Sequence, residues 1–378
     1  MKLMHLSDLH LGKRLSEFSL LEDQAYILHQ ILQIAIQQRP DAVIIAGDLY
    51  DKPVPPAEAV ALLDDFLARL AKEQLNVFII SGNHDSPERI AFGSRLVASS
   101  GVYLAPVYNG IVAPITLHDA HGDVDIYLLP FIKPGHVRRF YPDEEITSYT
   151  DALRCAIAHM PIRNDRRNVL VTHQYVTGAS RCESEELAVG GSDNVDAAVF
   201  DAFDYVALGH IHGPQNVGSP RIRYCGTPLK YSFSEVNHHK SVTMVELGPK
   251  GDVTISCIPL SPLRDLLELR GTYQQLTQRD YYATLDQNAY VHVILTDEDD
   301  IPDAAAKLRV IYPNLMKLTY DNQRTRSHAD FSQTAQVEQR TPLSLFSDFY
   351  QQQNGQPLSE EQEAYMAQLI NRIWEVTP

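Results

Sequence analysis

The sequence predicts an α/β fold, an α+β sandwich in which two sheets pack face to face with helices outside. Three observations predict it. From residue 1 to about 259, β-branched apolar runs alternate with segments of helical periodicity. Five of those runs end in side chains of metal-ligand type, and strand carboxyl ends in such folds converge on one crevice. Two pairs of neighbouring runs, near residues 111–129 and 241–258, read as antiparallel, which argues for two sheets rather than one doubly wound sheet.

Leu3-Met4-His5-Leu6 opens the chain as a strand that ends at Asp8-Leu9-His10. Residues 18–37 read as a helix, with Leu20, Leu21, Ile27, Leu28, Ile31, Leu32 and Ile34 at helical spacing, stopped by Pro40-Asp41. Val43-Ile44-Ile45-Ala46 is the next strand and runs into Gly47-Asp48. Pro55-Pro56 starts a second helix, whose apolar face is Val60, Leu63, Leu67 and Leu70. Val77-Phe78-Ile79-Ile80 leads to Gly82-Asn83-His84-Asp85, with Ser86 as N-cap of a third helix. Residues 111–117 and 124–129 pair about His121-Gly122-Asp123. Val169-Leu170-Val171 ends at Thr172-His173, and Tyr205-Val206-Ala207-Leu208 at Gly209-His210-Ile211-His212. Residues 241–247 and 252–258 meet at Pro249-Lys250-Gly251.

Pro259-Leu260-Ser261-Pro262 marks a boundary that closes a first domain at 1–259. Residues 263–321 read as a smaller α+β unit, with strands at 264–269, 292–296 and 315–320 and a helix at 302–311. Residues 322–341 hold only Phe331 and Val337 as sizeable apolar side chains, too few to bury a core, so they read as a linker. Residues 342–378 regain periodicity as a helical hairpin, its second helix preceded by the capping box Ser359-x-x-Gln362. Its apolar stripe, Leu345, Phe346, Phe349, Tyr365, Leu369, Ile373 and Trp374, fits the apolar surface of a partner.

A net charge of −16 argues against a chain that coats nucleic acid through bulk positive charge. It leaves a nuclease open, because metal ions and local basic groups can attract phosphate. No run approaches the roughly 18 apolar residues of a membrane span, and the first apolar patch ends too early for a signal peptide, so a cytoplasmic protein is expected. Cys155, Cys182, Cys225 and Cys257 form no C-x-x-C pair, which excludes a zinc ribbon and points to reduced thiols.

Asp8 and His10 sit two apart, so both reach one site from a strand end. Asp48 follows a glycine alone, where a carboxylate can bridge two cations. Asn83 offers an amide oxygen, His173 an imidazole, and His210 and His212 point to one side of an extended H-x-H. Such oxygen and nitrogen donors without thiolate suit Mn²⁺, Fe²⁺ or catalytic Zn²⁺. Two such cations about 3.5–4 Å apart drive phosphoryl transfer. His84 is placed to stabilise a pentavalent transition state or protonate a leaving oxygen. Asp85 either orients an imidazole or caps the helix that follows. His118, His121, His136, His159, His238, His239, His292 and His328 read as surface or loop residues, and His5 as core.

The segments D-L-H, G-D-L-Y-D, G-N-H-D, T-H and G-H-I-H resemble those of the calcineurin-like metallophosphoesterases, over residues 1–259. That resemblance implies a two-sheet sandwich with two divalent ions, Mn²⁺ being the expected metal. It implies one ion on Asp8, His10, Asp48 and His212, and the other on Asp48, Asn83, His173 and His210. His84 would be the catalytic histidine, with Asp51 and Asp85 behind the ligands. H-L-S-D-L-H-L-G-K, T-H-Q-Y-V-T-G-A, G-H-I-H-G-P-Q and G-T-P-L-K-Y-S-F-S-E are similar to the DNA-repair nucleases of that family. Their resemblance implies a capping domain at 263–321, a hairpin that docks on an SMC-like coiled-coil ATPase, and a nuclease dimer within a heterotetramer or larger assembly. It also implies double-strand 3′–5′ exonuclease and single-strand or hairpin endonuclease activity on DNA. Gly213 stands where some relatives carry a basic residue. A stand-alone phosphodiesterase or phosphatase for a small molecule is the alternative, and the residues after Pro259 argue against it. The complete ligand set argues against a scaffold without chemistry.

Overall fold

Alternating side-chain direction along the central strands decides the layers. The structure, a computed structural model, describes residues 1–185, 193–322, 325, 342–354 and 357–374, without side chains at 342, 345, 352–354 and 371–374. Most of the expected linker 322–341, His328 and the side chains of Leu345, Ile373 and Trp374 lie outside the described residues.

The chain begins as β1 (Lys2–Leu6), makes a small hairpin of β2 (Arg14–Leu15) and β3 (Phe18–Ser19), and continues through β4 (Ala42–Ala46), β5 (Asn76–Ile80) and β6 (Val102–Ala105). Helices α1 (Leu21–Gln38) and α2 (Ala57–Lys72) connect these strands. It then enters a second sheet with β7 (Ile115–Asp119), β8 (Gly122–Leu129) and β9 (Arg167–His173). A short pair, β10 (Tyr175–Val176) and β11 (Asn194–Val195), precedes β12 (Tyr205–Gly209), β13 (Gln215–Val217) and β14 (Ser219–Tyr224). The chain returns to the first sheet in β15 (Ser241–Leu247) and β16 (Val253–Pro259). The sheet orders are β16-β15-β1-β4-β5-β6 and β13-β14-β12-β9-β8-β7. The central pairs are parallel, while β1–β15, β15–β16, β7–β8 and β13–β14 are antiparallel.

Leu3, Ile44 and Phe78 from the first sheet meet Ile126, Val169 and Ala207 from the second in a buried layer between them. Their neighbours Met4, Val43, Ile45 and Ile79 face the other way and bury Ile27, Ile31, Leu63 and Phe66 of α1 and α2. Tyr127, Leu170 and Leu208 do the same on the second sheet, against Leu153 and Ile157. Both faces of each sheet are therefore covered, which is why the central strands read as unbroken apolar runs.

Further on, β17 (Leu266–Gly271), β18 (Tyr290–Leu295) and β19 (Leu315–Tyr320) form a three-stranded sheet. The chain divides into two compact units, one of residues 1–270, 274–293 and 303–318, the other of 271–273, 294–302 and 319–378. In the second unit, helices Pro342–Asn354 and Glu360–Trp374 form the expected hairpin. Its capping box closes from both sides, Ser359 N–H to Gln362 Oε1 at 2.9 Å and Gln362 N–H to Ser359 Oγ at 3.3 Å.

Three local expectations need correction. The first helix starts at Leu21, because Phe18–Ser19 pairs with Arg14–Leu15 through a turn with Ser16 in the left-handed region, and Phe18 packs on Tyr290. Ser86 stands at an N-cap but makes no side-chain cap bond to the five-residue helix Pro87–Ala91. His292 is 6% exposed on β18, held by Glu268 at 3.1 Å and by the Phe233 ring; its strand neighbours Val291 and Val293 are buried as well, so both faces of β18 are covered there. His5 is core, its Nδ1 2.8 Å from the Tyr205 hydroxyl.

Arg167 ties the two sheets together. Only 2% exposed, it donates to Asp119 at 2.9 and 2.5 Å and to the carbonyls of Gly122, Leu247 and Gly248 at 2.7, 3.2 and 3.1 Å. Its guanidinium holds the Asp119 carboxyl well below the usual carboxylate range. Arg167→Ala strands these acceptors and should cost about 3–5 kcal/mol, a fall in melting temperature of roughly 10 °C at neutral pH. Because the folded-state pKa of Asp119 is depressed, that contribution is present above the unfolded pKa and lost as pH falls. The gap between the two melting temperatures should therefore narrow as pH falls below roughly 4, with the bonds to the three carbonyls keeping it from closing, and unchanged melting at pH 7 would refute the tie.

Candidate metal centre

The turns that follow the central strands leave through strained backbone. Asp8 (φ 53°), His10 (φ 44°), Asp48 (φ 51°) and His210 (φ 103°) are four of the eight non-glycine residues at positive φ among the described residues. Each such position costs on the order of 1–3 kcal/mol and persists only where its surroundings over-determine it. Here the N–H groups of Asp8, His10 and Leu11 donate to the carbonyls of Gly47, Asp48 and Leu49 at 2.9, 3.0 and 2.9 Å. Buried Gln24 Nε2 holds the His10 carbonyl at 2.7 Å, and the Tyr231 hydroxyl holds that of Leu9 at 2.5 Å. The strain aims the side chains of three strand ends at one point.

All seven expected ligands meet there. Asp8, His10 and His212 each bring a ligand atom within 4.8 Å of the others, and so do Asp8, Asp48 and His173. Asp48 Oδ2 lies 3.7 Å from His10 Nε2 and 3.3 Å from His173 Nε2, between the two sets. Asn83 Oδ1 lies 3.0 Å from His173 Nε2 and 2.8 Å from His210 Nδ1. The Asp8 carboxylate also accepts the His210 N–H, linking β1 to β12 across the sandwich.

His84 sits half-buried at the rim, its ring edge-on to His10 with centroids 4.9 Å apart. Its N–H donates to Asp48 Oδ1 at 2.9 Å, and its Nδ1 lies 3.2 Å from the Asp51 carbonyl. Asp51 pairs with Lys13 at 2.8 Å. Asp85 accepts the N–H groups of Leu49, Tyr50 and Gly82 at 3.1, 3.1 and 2.9 Å, so it clamps the Asp48 turn to the Asn83 turn. The hairpin residues belong to the second unit, where Phe349 and Tyr365 are 56% and 66% exposed, Leu369 is exposed and Phe346 half-buried.

The electrostatics are those of a cation site. Asp8 and Asp48 are fully buried, and among the described residues neither pairs with a lysine or arginine. Burial pushes Asp8 up to about 6. Burial pushes Asp48 the same way, but His173, His10 and His84 together outweigh it and hold Asp48 well below the carboxylate range. Burial lowers His173, yet the Asp48 and Asp8 carboxylates and the Ala46 carbonyl together raise it to about 9. His10 and His210 are lowered, chiefly by burial. Both ring nitrogens of His10 are buried without a hydrogen-bond partner. Buried charges are paired or coordinate metals, so this donor set fits divalent ions.

Sequence reasoning gave no role to the residues behind His212. Its Nδ1 lies 2.8 Å from Ser184 Oγ and 3.1 Å from buried Glu235 Oε1, and Glu235 is paired with buried Lys240 at 2.6 Å. Glu235 closes the similar segment G-T-P-L-K-Y-S-F-S-E, but nothing local in that segment marks a partner 23 residues away.

Fold and site together define a calcineurin-like phosphoesterase, and the comparisons agree. The family model for calcineurin-like phosphoesterases matches residues 1–214. A second model, described as a type 5 capsule protein repressor C-terminal domain, matches residues 262–354. The SbcD subunit of the nuclease SbcCD from Staphylococcus epidermidis is 34% identical over 380 residues, covering 99% of each chain. Its namesake from Staphylococcus saprophyticus is 34% identical over 382 residues, again covering 99% of each. A dimetal phosphatase structure from Danio rerio is similar at TM-score 0.40 and 12% identity, covering 70% of this chain and 98% of that one. The chain belongs to the SbcD family of calcineurin-like phosphoesterases. Membership carries divalent metal ions with it. Among the described residues, no helix is long and apolar enough to cross a membrane.

Glycines permit the cluster: a Cβ on Gly82 would lie 2.1 Å from Asp48 Oδ1, and one on Gly47 2.5 Å from His173 Nδ1. A Cβ on Gly209 would lie 1.9 Å from the Ala46 carbonyl oxygen and 2.6 Å from His173 Nδ1, so the sheets touch there only without a side chain. Gly209→Ala should destabilise the chain by about 3 kcal/mol or more, since neither backbone nor imidazole can yield. Differential scanning fluorimetry with wild-type melting would refute that contact.

Proposed function

We propose that this chain is the nuclease component of an SbcCD-type complex, a Mn²⁺-dependent phosphodiester hydrolase that cuts DNA in the cytoplasm. The meeting of Asp8, His10, Asp48, Asn83, His173, His210 and His212 at one edge of the sandwich carries the reading. Similarity over the full chain to the SbcD subunits of two SbcCD nucleases supports it. Asp8, His10, Asp48 and His212 hold one ion; Asp48, Asn83, His173 and His210 hold the other. When bound, the ions supply an activated water and neutralise charge on the phosphoryl oxygens.

The protein's own groups do the rest. Asp48 Oδ2 lies between both ligand sets, so it is the atom that would be shared by the two positions, while Oδ1 accepts the His84 N–H. With Nδ1 turned to the Asp51 carbonyl, His84 has Nε2 left to stabilise the transition state or to hand a proton to the leaving oxygen. Lys13 neutralises Asp51, and Asp85 fixes the turns that carry Asp48 and His84.

The substrates are double-stranded ends, cut 3′ to 5′, and single strands or hairpins, cut internally. Residues 1–259 form the nuclease domain, 263–321 a capping domain, 322–341 a linker and 342–378 the hairpin that docks on an SbcC-type coiled-coil ATPase. Exposed Phe349, Tyr365 and Leu369 supply apolar surface for that docking. A second apolar surface, with Phe92 91% and Leu96 80% exposed, supports a nuclease dimer within the larger assembly. The stand-alone small-molecule phosphodiesterase is the weaker reading, because the relatives match through the C-terminal segments as well.

His84→Ala should lower turnover on single-stranded DNA by roughly 10²–10⁴, with metal content and DNA binding retained. Loss of an ion by that variant would assign His84 to the ligands instead. Asp48→Asn should abolish cleavage and lower metal occupancy while circular dichroism stays wild type; an active variant with two ions would exclude the bridge.

The hairpin is tested apart from the chemistry. Phe349→Ala or Tyr365→Ala should weaken the ATPase complex by about 2 kcal/mol. Truncation after Asp321 should abolish ATP-dependent cleavage yet leave Mn²⁺-dependent cleavage of single strands. Lower melting with unchanged partner binding would mean that the hairpin packs on its own chain.

A further inference from the structure

The two proposed metal positions are built differently. At the position of Asp8, His10 and His212, both imidazoles have a lysine-paired carboxylate on their far side, within hydrogen-bond distance of His212 but beyond it for His10. His212 Nδ1 faces Glu235 Oε1 at 3.1 Å and Ser184 Oγ, which donates to that same carboxylate oxygen, at 2.8 Å, and Lys240 holds Glu235 Oε2 at 2.6 Å. His10 Nδ1 faces Asp51 Oδ1 at 3.9 Å, and Lys13 holds Asp51 at 2.8 Å. Lys240 also donates to the His212 carbonyl at 2.9 Å and to Thr227 Oγ1 at 2.6 Å, while Glu185 Oε1 accepts the His212 N–H at 2.7 Å. His212 is thus gripped at its ring, its N–H and its carbonyl by buried Glu235, Glu185 and Lys240.

The other position has no such backing behind His173. His173 Nδ1 lies 2.8 Å from the neutral carbonyl of Ala46. Its donor set also lacks a carboxylate of its own, since Asn83 supplies a neutral amide and Asp48 is shared.

We infer that Glu235, held by Lys240, is a positioning residue that makes the Asp8–His10–His212 position the tighter one, filled first, and leaves the Asn83–His173–His210 position exchangeable. The inference rests on the ligand sets proposed above. An imidazole whose Nδ1–H is committed to a carboxylate presents a fixed, more basic lone pair at its other nitrogen. Removing such a partner weakens metal affinity by about 10–100-fold. The Glu235–Lys240 pair is neutral overall, so the effect on His212 is local and the second position should not feel it.

The test is calorimetric titration of MnCl₂ into the metal-free full-length chain, with unbound Mn²⁺ counted by electron paramagnetic resonance. Wild type should bind in two resolved steps. Glu235→Gln should weaken the tight step about 10–100-fold and leave the weak step in place, and Glu235→Asp should recover part of the loss. His212→Ala should remove the tight step and His173→Ala the weak one. If Glu235→Gln fails to fold around an unpaired Lys240, the double variant Glu235→Gln, Lys240→Met removes both charges and should give the same loss. Wild-type isotherms in the Glu235 variants, equal weakening of both steps, two equal steps in wild type, or loss of the tight step in His173→Ala would overturn the inference. A folded wild type that takes up no Mn²⁺ would instead overturn the ligand reading on which it rests.

Discussion

Two carboxylates, Asp8 and Asp48, are buried at the edge of the sandwich among imidazoles, with no lysine or arginine against either among the described residues. A protein that buries carboxylates away from lysine and arginine must pair them with protonated imidazoles or fill the space with cations. The architecture is arranged for the second outcome. β1 and β4 end in left-handed residues that no strand prefers, and backbone hydrogen bonds from Asp8, His10 and Leu11 hold them there. The strain serves to converge ligands from both sheets.

That convergence needs the sheets to approach more closely at this edge than packed side chains allow. Gly209 supplies the approach, because the Ala46 carbonyl occupies the space a Cβ would take. Away from the site the sheets are spaced by Leu3, Ile44, Phe78, Ile126 and Val169 and tied by Arg167. The sandwich is thus apolar through its middle, pinned by Arg167, and open to polar chemistry where the strands end. Behind the ligands lies a further buried layer, Glu235, Lys240, Gln24 and Tyr231, which fixes orientation without touching the open side.

How much of this was legible in the sequence depended on whether the signal was local. Val43 to Ala46 and Val77 to Ile80 were readable as strands because burial on both faces demands an unbroken apolar run. The five ligand segments were readable because each follows its strand directly. Phe18 misled because its apolar side chain fits a helical face equally well, and only the contact with Tyr290 chose the hairpin. His292 misled because a lone histidine carries no mark that both faces of its strand will be covered.

The sequence by itself determined the two-sheet sandwich, the order in which ligands arrive and the hairpin with its capping box. These follow from periodicity, turn chemistry and short-range spacing, which act between near neighbours. Tertiary structure alone decided that Asp85 clamps two turns, that Arg167 joins the sheets and that Glu235 backs His212. The Arg167 and Glu235 contacts span 80 and 23 positions, and no local propensity encodes a partner that only packing brings within hydrogen-bond reach.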